Sequence, residues 1–503
     1  MFSLTFILVL VLISTLTFAL PLPHAQSRSP FAHHARSAKR DDPQKYVVAH
    51  FMMGNTFPYT TEDFEADIKL AHESGIDGFA LNIGSDVWQP DHVRSAYQAA
   101  ANSGTDFKLF ISFDMTVLPC GSASDAETLR NYVTEFASHP NQFRYEGRVF
   151  ASTFAGENCQ FGQGSTAQGW KSQFIQHPDL QGQNAVYFVP SFFVDPATFN
   201  QFNDVMDGAL NWNSAWPITL TTDLANNILS KQGLGLSDLA GNAVEAASQA
   251  LGKFVTDMTS DQQYNNGLSS VVAQGKKAYM ATISPWFFTH YGPDSFNKNF
   301  VYYGDSHLYP SRWESVINDR NNVDLIELLT WNDYGESHYI APVKGDQPNS
   351  QAWVDGFAHD GWLDMTKYYA TAFKTGSFPD VTEDKLYMWA RPHPKDADAP
   401  DGVGKPTNFA IFEDTLWAVV FATKASMVTL GTTDGTTSVF EVPAGVTKLS
   451  VPLTPGGYMH GRIVRDGQAI VDLKPENYTF EANPKTYNYN AFVAFASANS
   501  TQA

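Results

Sequence analysis

From Tyr46 onward the chain alternates short apolar runs with longer stretches in which apolar residues recur every three or four positions. Residues 46–53 (YVVAHFMM) read as a buried strand. Residues 61–74 (TEDFEADIKLAHES) read as a helix with Phe64, Ile68 and Ala71 on one face and Thr60 or Thr61 as its cap. Further strands are predicted at 78–83, 107–113, 149–154, 185–193, 208–212, 278–284 and 323–330, with helices over 92–101, 125–138 and around 170–175. Eight strands alternating with helices predict an α/β fold, a (β/α)8 barrel over residues 41–375. An open doubly wound sheet is the rival. Its nucleotide-binding forms carry a Gly-rich turn after the first strand, and Met53-Gly54-Asn55 lacks that pattern.

Residues 218–263 break the rhythm. They read as an inserted segment over one barrel face, helical in period at 236–254; the alternative is an ordinary barrel helix. From 376 to 503 the texture changes again. Short β-branched runs at 415–422, 427–432, 437–442 and 447–451 are separated by Asp-Gly, Pro-Ala-Gly and Pro-Gly-Gly turns, which predicts a C-terminal antiparallel β-sandwich domain, with 392–405 as a loop at its edge. At the other end, 1–19 are apolar and uncharged and read as a signal peptide. Residues 20–40 end in Lys39-Arg40 and read as a propeptide that leaves Asp41 as the mature N-terminus. A membrane anchor is the alternative for the leader; no later segment is apolar enough to span a bilayer, so no membrane association of the mature form is expected.

Composition narrows the partners. A net charge of −20, from 32 basic and 52 acidic residues, argues against nucleic acid and anionic membranes and suits an uncharged substrate. Aromatic residues make up 14% of the chain, with 11 Trp, which fits either sugar stacking or a large aromatic core. The two cysteines, Cys120 and Cys159, follow the third and fourth strands, whose loops are neighbours in a barrel, so a disulfide is predicted. Neither lies in a Cys/His cluster, and no metal or cofactor is expected. Asn477 and Asn499 head glycosylation sequons, in keeping with a secreted, monomeric protein in the extracellular space or cell wall.

The candidate chemistry lies where the strands end. Past the apolar run 325–329, Asp333 and Glu336 stand three residues apart among Trp331, Tyr334, His338 and Tyr339. Paired carboxylates among aromatic rings suit acid/base work on a sugar; a solvated turn is the plainer reading. The other predicted strand ends carry His50, Asn82, Asp86 and Trp88, Asp114, Glu157, Trp212 and Trp216, and Trp286 and His290. Acids, amides, His and Trp recurring on one rim favour an enzyme acting on a sugar polymer, with these residues as substrate contacts. Each has a structural counterpart. His50 could be a core histidine, Asp114 a turn cap, Trp212 and Trp216 rim packing, and Glu157 a surface group beside the cysteine bridge. His50, Asp86 and Asp114 could also hold a cation, but acids walled by tryptophan favour a glycosidase.

Four segments in order, VVAHFMMGNTFPYT (47–60), GIDGFALNIGSDVWQ (75–89), SPWFFTHYGPD (284–294) and TWNDYGESHYI (330–340), resemble glycoside hydrolase family 71, the fungal α-1,3-glucanases or mutanases. The resemblance covers roughly residues 45–503. It implies the barrel and sandwich, hydrolysis of α-1,3-glucan with inversion, and no cofactor. It places the catalytic acids on Asp333 and Glu336, with Asp86 as a further acid. An inverting pair is expected about 6.5–9.5 Å apart, with Glu336 as general acid and Asp333 as general base. A non-catalytic glucan-binding or cell-wall protein on the same scaffold is the alternative.

Overall fold

The computed structural model describes residues 44–498, so the leader, the propeptide and the Asn499 sequon lie outside the described residues. All eight predicted strands of the first part form: β1 (Tyr46–Met52), β2 (Gly78–Ile83), β3 (Lys108–Asp114), β4 (Arg148–Phe154), β5 (Val186–Ser191), β6 (Gly208–Asn211), β7 (Ala278–Ile283) and β8 (Leu325–Leu328). They pair in parallel in the order β5-β4-β3-β2-β1-β8-β7-β6, a curled sheet in which the first and last strands are neighbours. No ladder joins β5 to β6. That seam carries a backbone bond from Asp207 N to Phe188 O, while the Asp207 carboxylate accepts from Phe188 N.

Asp207 belongs to a set. Asp77, Asp207 and Asp324 each immediately precede an even-numbered strand, and each pairs with the strand before it. The backbone N–H of each donates to the carbonyl of Val47, Phe188 or Tyr279, and the carboxylate accepts that same residue's N–H. Each acid also meets a cation, Lys374, Arg148 and Lys276 in turn. Local side-chain bonds thus continue the sheet past its ladder at the N-terminal rim.

Alternation along the strands separates two layers. Val48, Ala80, Phe110, Phe150, Val189, Leu210, Met280 and Leu325 share one core inside the curl. Their neighbours, such as Ala49, Phe79, Leu109, Ala151 and Ile326, pack outward with the helices. Two positions further on, the inner face turns polar: His50, Asn82, Ser112, Ser152, Thr282 and Glu327, all buried. The floor of the C-terminal end is therefore built from hydrogen-bonding groups above an apolar plug.

The segment after β6 has helices Thr222–Ser230 and Val244–Gly252, with 3₁₀ turns between and after them. It has its own small core, in which Leu229, Leu251 and Val255 pack with Trp216, Phe287 and Leu329 from loops and strand ends. The helix Thr259–Ser269 lies against the 196–202 turn, where Gly267 has no room for a side chain beside Pro196 O. The excursion thus ends before Thr259, short of the expected 263.

Beyond helix Asp360–Thr375 come β9 (Lys385–Ala390), β10 (Thr415–Ala422), β11 (Ser426–Thr433), β12 (Thr436–Val442), β13 (Gly445–Pro452), β14 (His460–Arg465), β15 (Gln468–Leu473) and β16 (Phe492–Ser497). They make two antiparallel four-stranded sheets, β13-β10-β9-β16 and β12-β11-β14-β15. Leu386, Met388, Leu416, Ala418 and Val420 share a core with Val428, Leu430 and Ile463 of the other sheet. The alternate residues, Tyr387, Trp389, Trp417 and Val419, join the core of the parallel sheet. Every residue of β10 is accordingly buried.

Cys120 and Cys159 form a disulfide with Cα atoms 5.2 Å apart, closing a separation of 39 residues between the loops after β3 and β4. Loop closure of that length stabilises by ~2–4 kcal/mol. A thiol assay on denatured, unreduced protein should find no free thiol, and reduction should lower the melting temperature; two reactive thiols before reduction would contradict the bond.

Candidate active site

The loop after β8 is fastened to the end of β1. Trp331 N donates to His50 O at 2.7 Å, and the Asn332 side chain accepts from Met52 N at 2.7 Å and donates to Met52 O at 3.1 Å. This amide imitates one more residue of the β1–β8 ladder. The loop then closes on itself: Thr330 N donates to His338 O, and Ile340 N returns to Thr330 O. Within it Asp333 caps a 3₁₀ turn, Tyr334–Glu336, by accepting from Glu336 N at 3.3 Å, and its own N–H donates to Thr330 Oγ1 at 2.8 Å.

Asp333 and Glu336 face His338, which is fully buried. Its Nε2 lies 3.4 Å from an oxygen of each, and one atom from each of the three groups falls within 4.8 Å of the others. The carboxylates keep a partial opening to solvent, 17% and 18% of their side-chain surface. Lys298 Nζ donates to Glu336 Oε1 at 3.0 Å. Two carboxylates and an imidazole could in principle ligate a divalent ion, but the Lys298 ammonium already sits on one of the carboxylates.

The two acids are displaced in opposite directions. Burial alone would raise the Asp333 carboxyl; His338, with Lys298 and His50 behind it, outweighs burial and holds it below its ordinary value. Glu336 is pushed above its ordinary value, first by burial and then by the charge of Asp333, against His338 and Lys298. Paired carboxyls driven apart in this way divide into an ionised base and a protonated acid. Their nearest oxygens lie closer than the expected 6.5–9.5 Å, because one His and one short turn hold both.

Beneath this cluster His50 Nδ1 lies 2.6 Å from Glu327 Oε1, both residues fully buried. The other Glu327 oxygen has no hydrogen-bond partner among the described residues. The Trp212 ring stands edge-on to His50 at 4.9 Å and to Phe154 at 4.7 Å. Trp216 and Phe287 pack on the His338 ring. Tyr302 and Tyr291 complete the wall; burial and then the nearby carboxylates raise both hydroxyls. Asn82 is buried at the end of β2 on the same face.

The remaining expected contacts make bonds of their own outside the dyad, although the charge of Asp114 still acts on Lys298. Asp86 is exposed and accepts from Gln89 Nε2 at 2.9 Å, so its nearest hydrogen-bond partner is a helix residue, not the dyad. Trp88 is half-buried at the rim beside His92 and the 60% exposed Phe57. Asp114 caps its own turn through Thr116. Glu157 accepts from Phe193 N at 3.3 Å, away from the dyad.

Three expectations are corrected. Trp286 is fully buried: its Nε1 donates to Tyr489 O, and its ring packs with Trp362 and Phe412 between the parallel sheet and the C-terminal sheets. Trp331 is fully buried against Phe79 on the outer layer. His290 is clamped between Asn299 and Asp401. Neither tryptophan can present a face to a sugar, because both are fully buried, and both ring nitrogens of His290 are already engaged. Conversely, Glu327, Lys298, Tyr291 and Tyr302 were not singled out from the sequence. A lone carboxylate in the run Leu325–Leu328 was the available signal, since a buried charge requires a partner.

Residues 43–503 match glycosyl hydrolase family 71. The chain is similar to the glucan endo-1,3-alpha-glucosidase agn1 of Schizosaccharomyces pombe, 37% identical over 454 residues, covering 89% of this chain and 94% of that one. It is also similar to the mutanase Pc12g07500 of Penicillium rubens, 32% identical over 458 residues, 89% and 88% of the two chains. Among solved structures, the GH99 endo-alpha-mannosidase from Bacteroides thetaiotaomicron aligns over 66% of this chain and 98% of that one, with a TM-score of 0.44 and 11% identity.

Gly335 sits between the two acids, and a Cβ there would come 1.9 Å from the Tyr291 hydroxyl. Gly335→Ala must therefore displace Tyr291 or the turn that carries Glu336. Misplacement on this scale should lower hydrolytic activity by ~10²-fold with an unchanged circular dichroism spectrum. Activity equal to the parent protein would mean that the turn absorbs a methyl group freely and does not fix the acids.

Proposed function

The chain belongs to glycosyl hydrolase family 71, and we propose that it hydrolyses α-1,3-glucosidic bonds of a glucan polymer. One observation carries the reading: two partly open carboxylates, bridged by one buried imidazole and displaced in opposite directions, stand at the C-terminal end of the parallel strands. Glu336 is the general acid, protonating the leaving glycosidic oxygen. Asp333 is the general base, taking a proton from the attacking water. His338 touches both carboxyls and, with Lys298, favours the ionised Asp333; Trp212 offers a ring face to the sugar, while Trp216, expected as a second platform, is buried behind His338. We take the curled sheet to be a (β/α)8 barrel closed through Asp207, and the C-terminal sheets to be a β-sandwich.

We propose inversion. The pair as it stands is closer than an inverting pair requires, so Glu336 must turn away from His338 as the sugar enters, opening space for water. A first-formed product with the β anomer would agree; an α anomer would overturn inversion and fit the ~5–5.5 Å spacing of a retaining pair. Secretion is proposed from the leader reading of 1–40, and Asn477, exposed in a loop, is accessible to a glycan.

Reducing ends should be released from insoluble α-1,3-glucan and not from α-1,4- or β-1,3-glucan; binding without release would favour the non-catalytic alternative. Asp333→Asn and Glu336→Gln should each lower kcat by ~10²-fold or more. The pH profile follows from the displacements. Because Asp333 is held low, activity should survive into more acidic solution than an ordinary carboxylate base permits, and be lost as pH falls through its pKa. Because Glu336 is raised, activity should persist as pH rises past the ordinary glutamate value and be lost only when Glu336 ionises. Loss of the alkaline limb in Glu336→Gln would confirm the acid; near-normal turnover in either variant would remove that residue from the mechanism.

A further inference from the structure

A cavity of about 550 Å³ opens beside the site, between the end of β5, the excursion after β6 and the helix Thr259–Ser269. That volume is within the range of small-molecule sites. Its walls include Phe193, Asn211, Trp216, Phe254 and Gln263. It adjoins the dyad through a single ring, since Trp216 packs on His338 with centroids 5.5 Å apart. A line of aromatic rings also leads to it from the floor: His50, Trp212, Phe154 and Phe193, with centroids 4.9, 4.7 and 5.3 Å apart in turn. Phe193, at the outer end of that line, is 37% exposed, and Phe254 faces the cavity from the excursion.

The one cation among the described wall residues is already paired: Arg312 donates to both oxygens of Asp261, at 2.8 and 2.7 Å. An anion would therefore find no free cation there. The Asp257 carboxylate, exposed and accepting from the N–H and hydroxyl of Thr259, is the one wall charge without an ionic partner among the described residues. One polar group does lack a partner. Asn211 is fully buried, its Nδ2 donates to Ser260 and Tyr279, and its Oδ1 has no hydrogen-bond partner among the described residues. Aromatic faces, amides, hydroxyls and an acceptor carboxylate, with no free cation, suit a neutral polyhydroxylated ligand.

We propose that this cavity is a remote subsite for glucosyl units of the chain whose scissile bond lies at Asp333 and Glu336. It rests on the α-1,3-glucan reading and deepens it. Phe193 and Phe254 flank the sugar faces, the Asn211 amide oxygen accepts from a sugar hydroxyl, and the excursion, which has its own core, holds the far wall. The enzyme is thereby made to prefer long chains, because only these reach from the dyad into the cavity.

The test measures kcat/KM on soluble α-1,3-linked gluco-oligosaccharides of four and of eight units. For the parent protein the longer substrate should be favoured about tenfold or more, the ratio given by ~1.4 kcal/mol of added contact. Gln263→Trp narrows the cavity from an exposed helix position, and Phe193→Ala with Phe254→Ala removes both ring faces. In each variant the ratio should fall to about twofold, chiefly through a higher KM on the longer substrate. Melting temperatures verify that the variants fold, and Gln263→Trp carries the decision if the double variant does not. A ratio that survives in folded Gln263→Trp overturns the subsite. A parent protein that cleaves both lengths equally well also overturns it. A parent protein inert on every α-1,3-glucan overturns the reading of function beneath it.

Discussion

The position of both acids depends on how the last parallel strand is joined to the first. The ladder between β1 and β8 ends at Ala49 and Leu328, yet its hydrogen bonding continues: His50 O takes Trp331 N, and the Asn332 amide takes both backbone groups of Met52. A peptide-like side chain thereby carries sheet geometry beyond the strand. Asp333 follows directly, so its backbone is fixed by the same bonds that unite residues 280 positions apart. A side chain on such a support is held in place before any ligand arrives. The acids stand on a loop by sequence, but on an extension of the sheet by mechanics.

The polarity of the inner face supports the same end. Large apolar side chains fill the lower part of the curl, and His50, Glu327, Ser112, Ser152 and Thr282 lie above them. A buried His–Glu contact is costly unless well paired, and here its 2.6 Å geometry sits under the dyad. His50 is one of the influences that lower the Asp333 carboxyl, after His338 and Lys298. The floor thus acts electrostatically on the site as well as supporting it.

The eight strands were legible because each is buried on both faces and so reads as an apolar run. The helices were legible because only one face of each is buried. The dyad motif, with its aromatic neighbours, stood out for its chemistry. Which way a loop tryptophan turns was not legible. Trp212 and Trp286 both follow strands, yet one faces the floor and the other is enclosed by Phe412 and Tyr489, more than a hundred residues later in the chain. Spacing carries no information about that later cover. Lys298 and Tyr302 were missed for a related reason: they flank a three-residue strand, Asn299–Val301, too short to show a period.

The enclosure of Trp286 also bears on how this protein could be rearranged. The Arg391 guanidinium lies between the Trp286 and Phe412 rings and pairs with buried Asp305, which also accepts from Trp417 Nε1. Parallel-sheet loops and C-terminal strands therefore supply complementary halves of one ionic and aromatic joint. Many carbohydrate-active enzymes carry accessory modules that recombine like cassettes on a linker. This chain cannot be divided that way at residue 376. A parallel-sheet half cut there would leave Asp305 without its arginine and expose a set of tryptophans, and a foreign pair of sheets would arrive without the arginine. Lineages or engineers altering substrate targeting would have to build on the outer sheet or the chain ends, and inherit the two halves as a single unit.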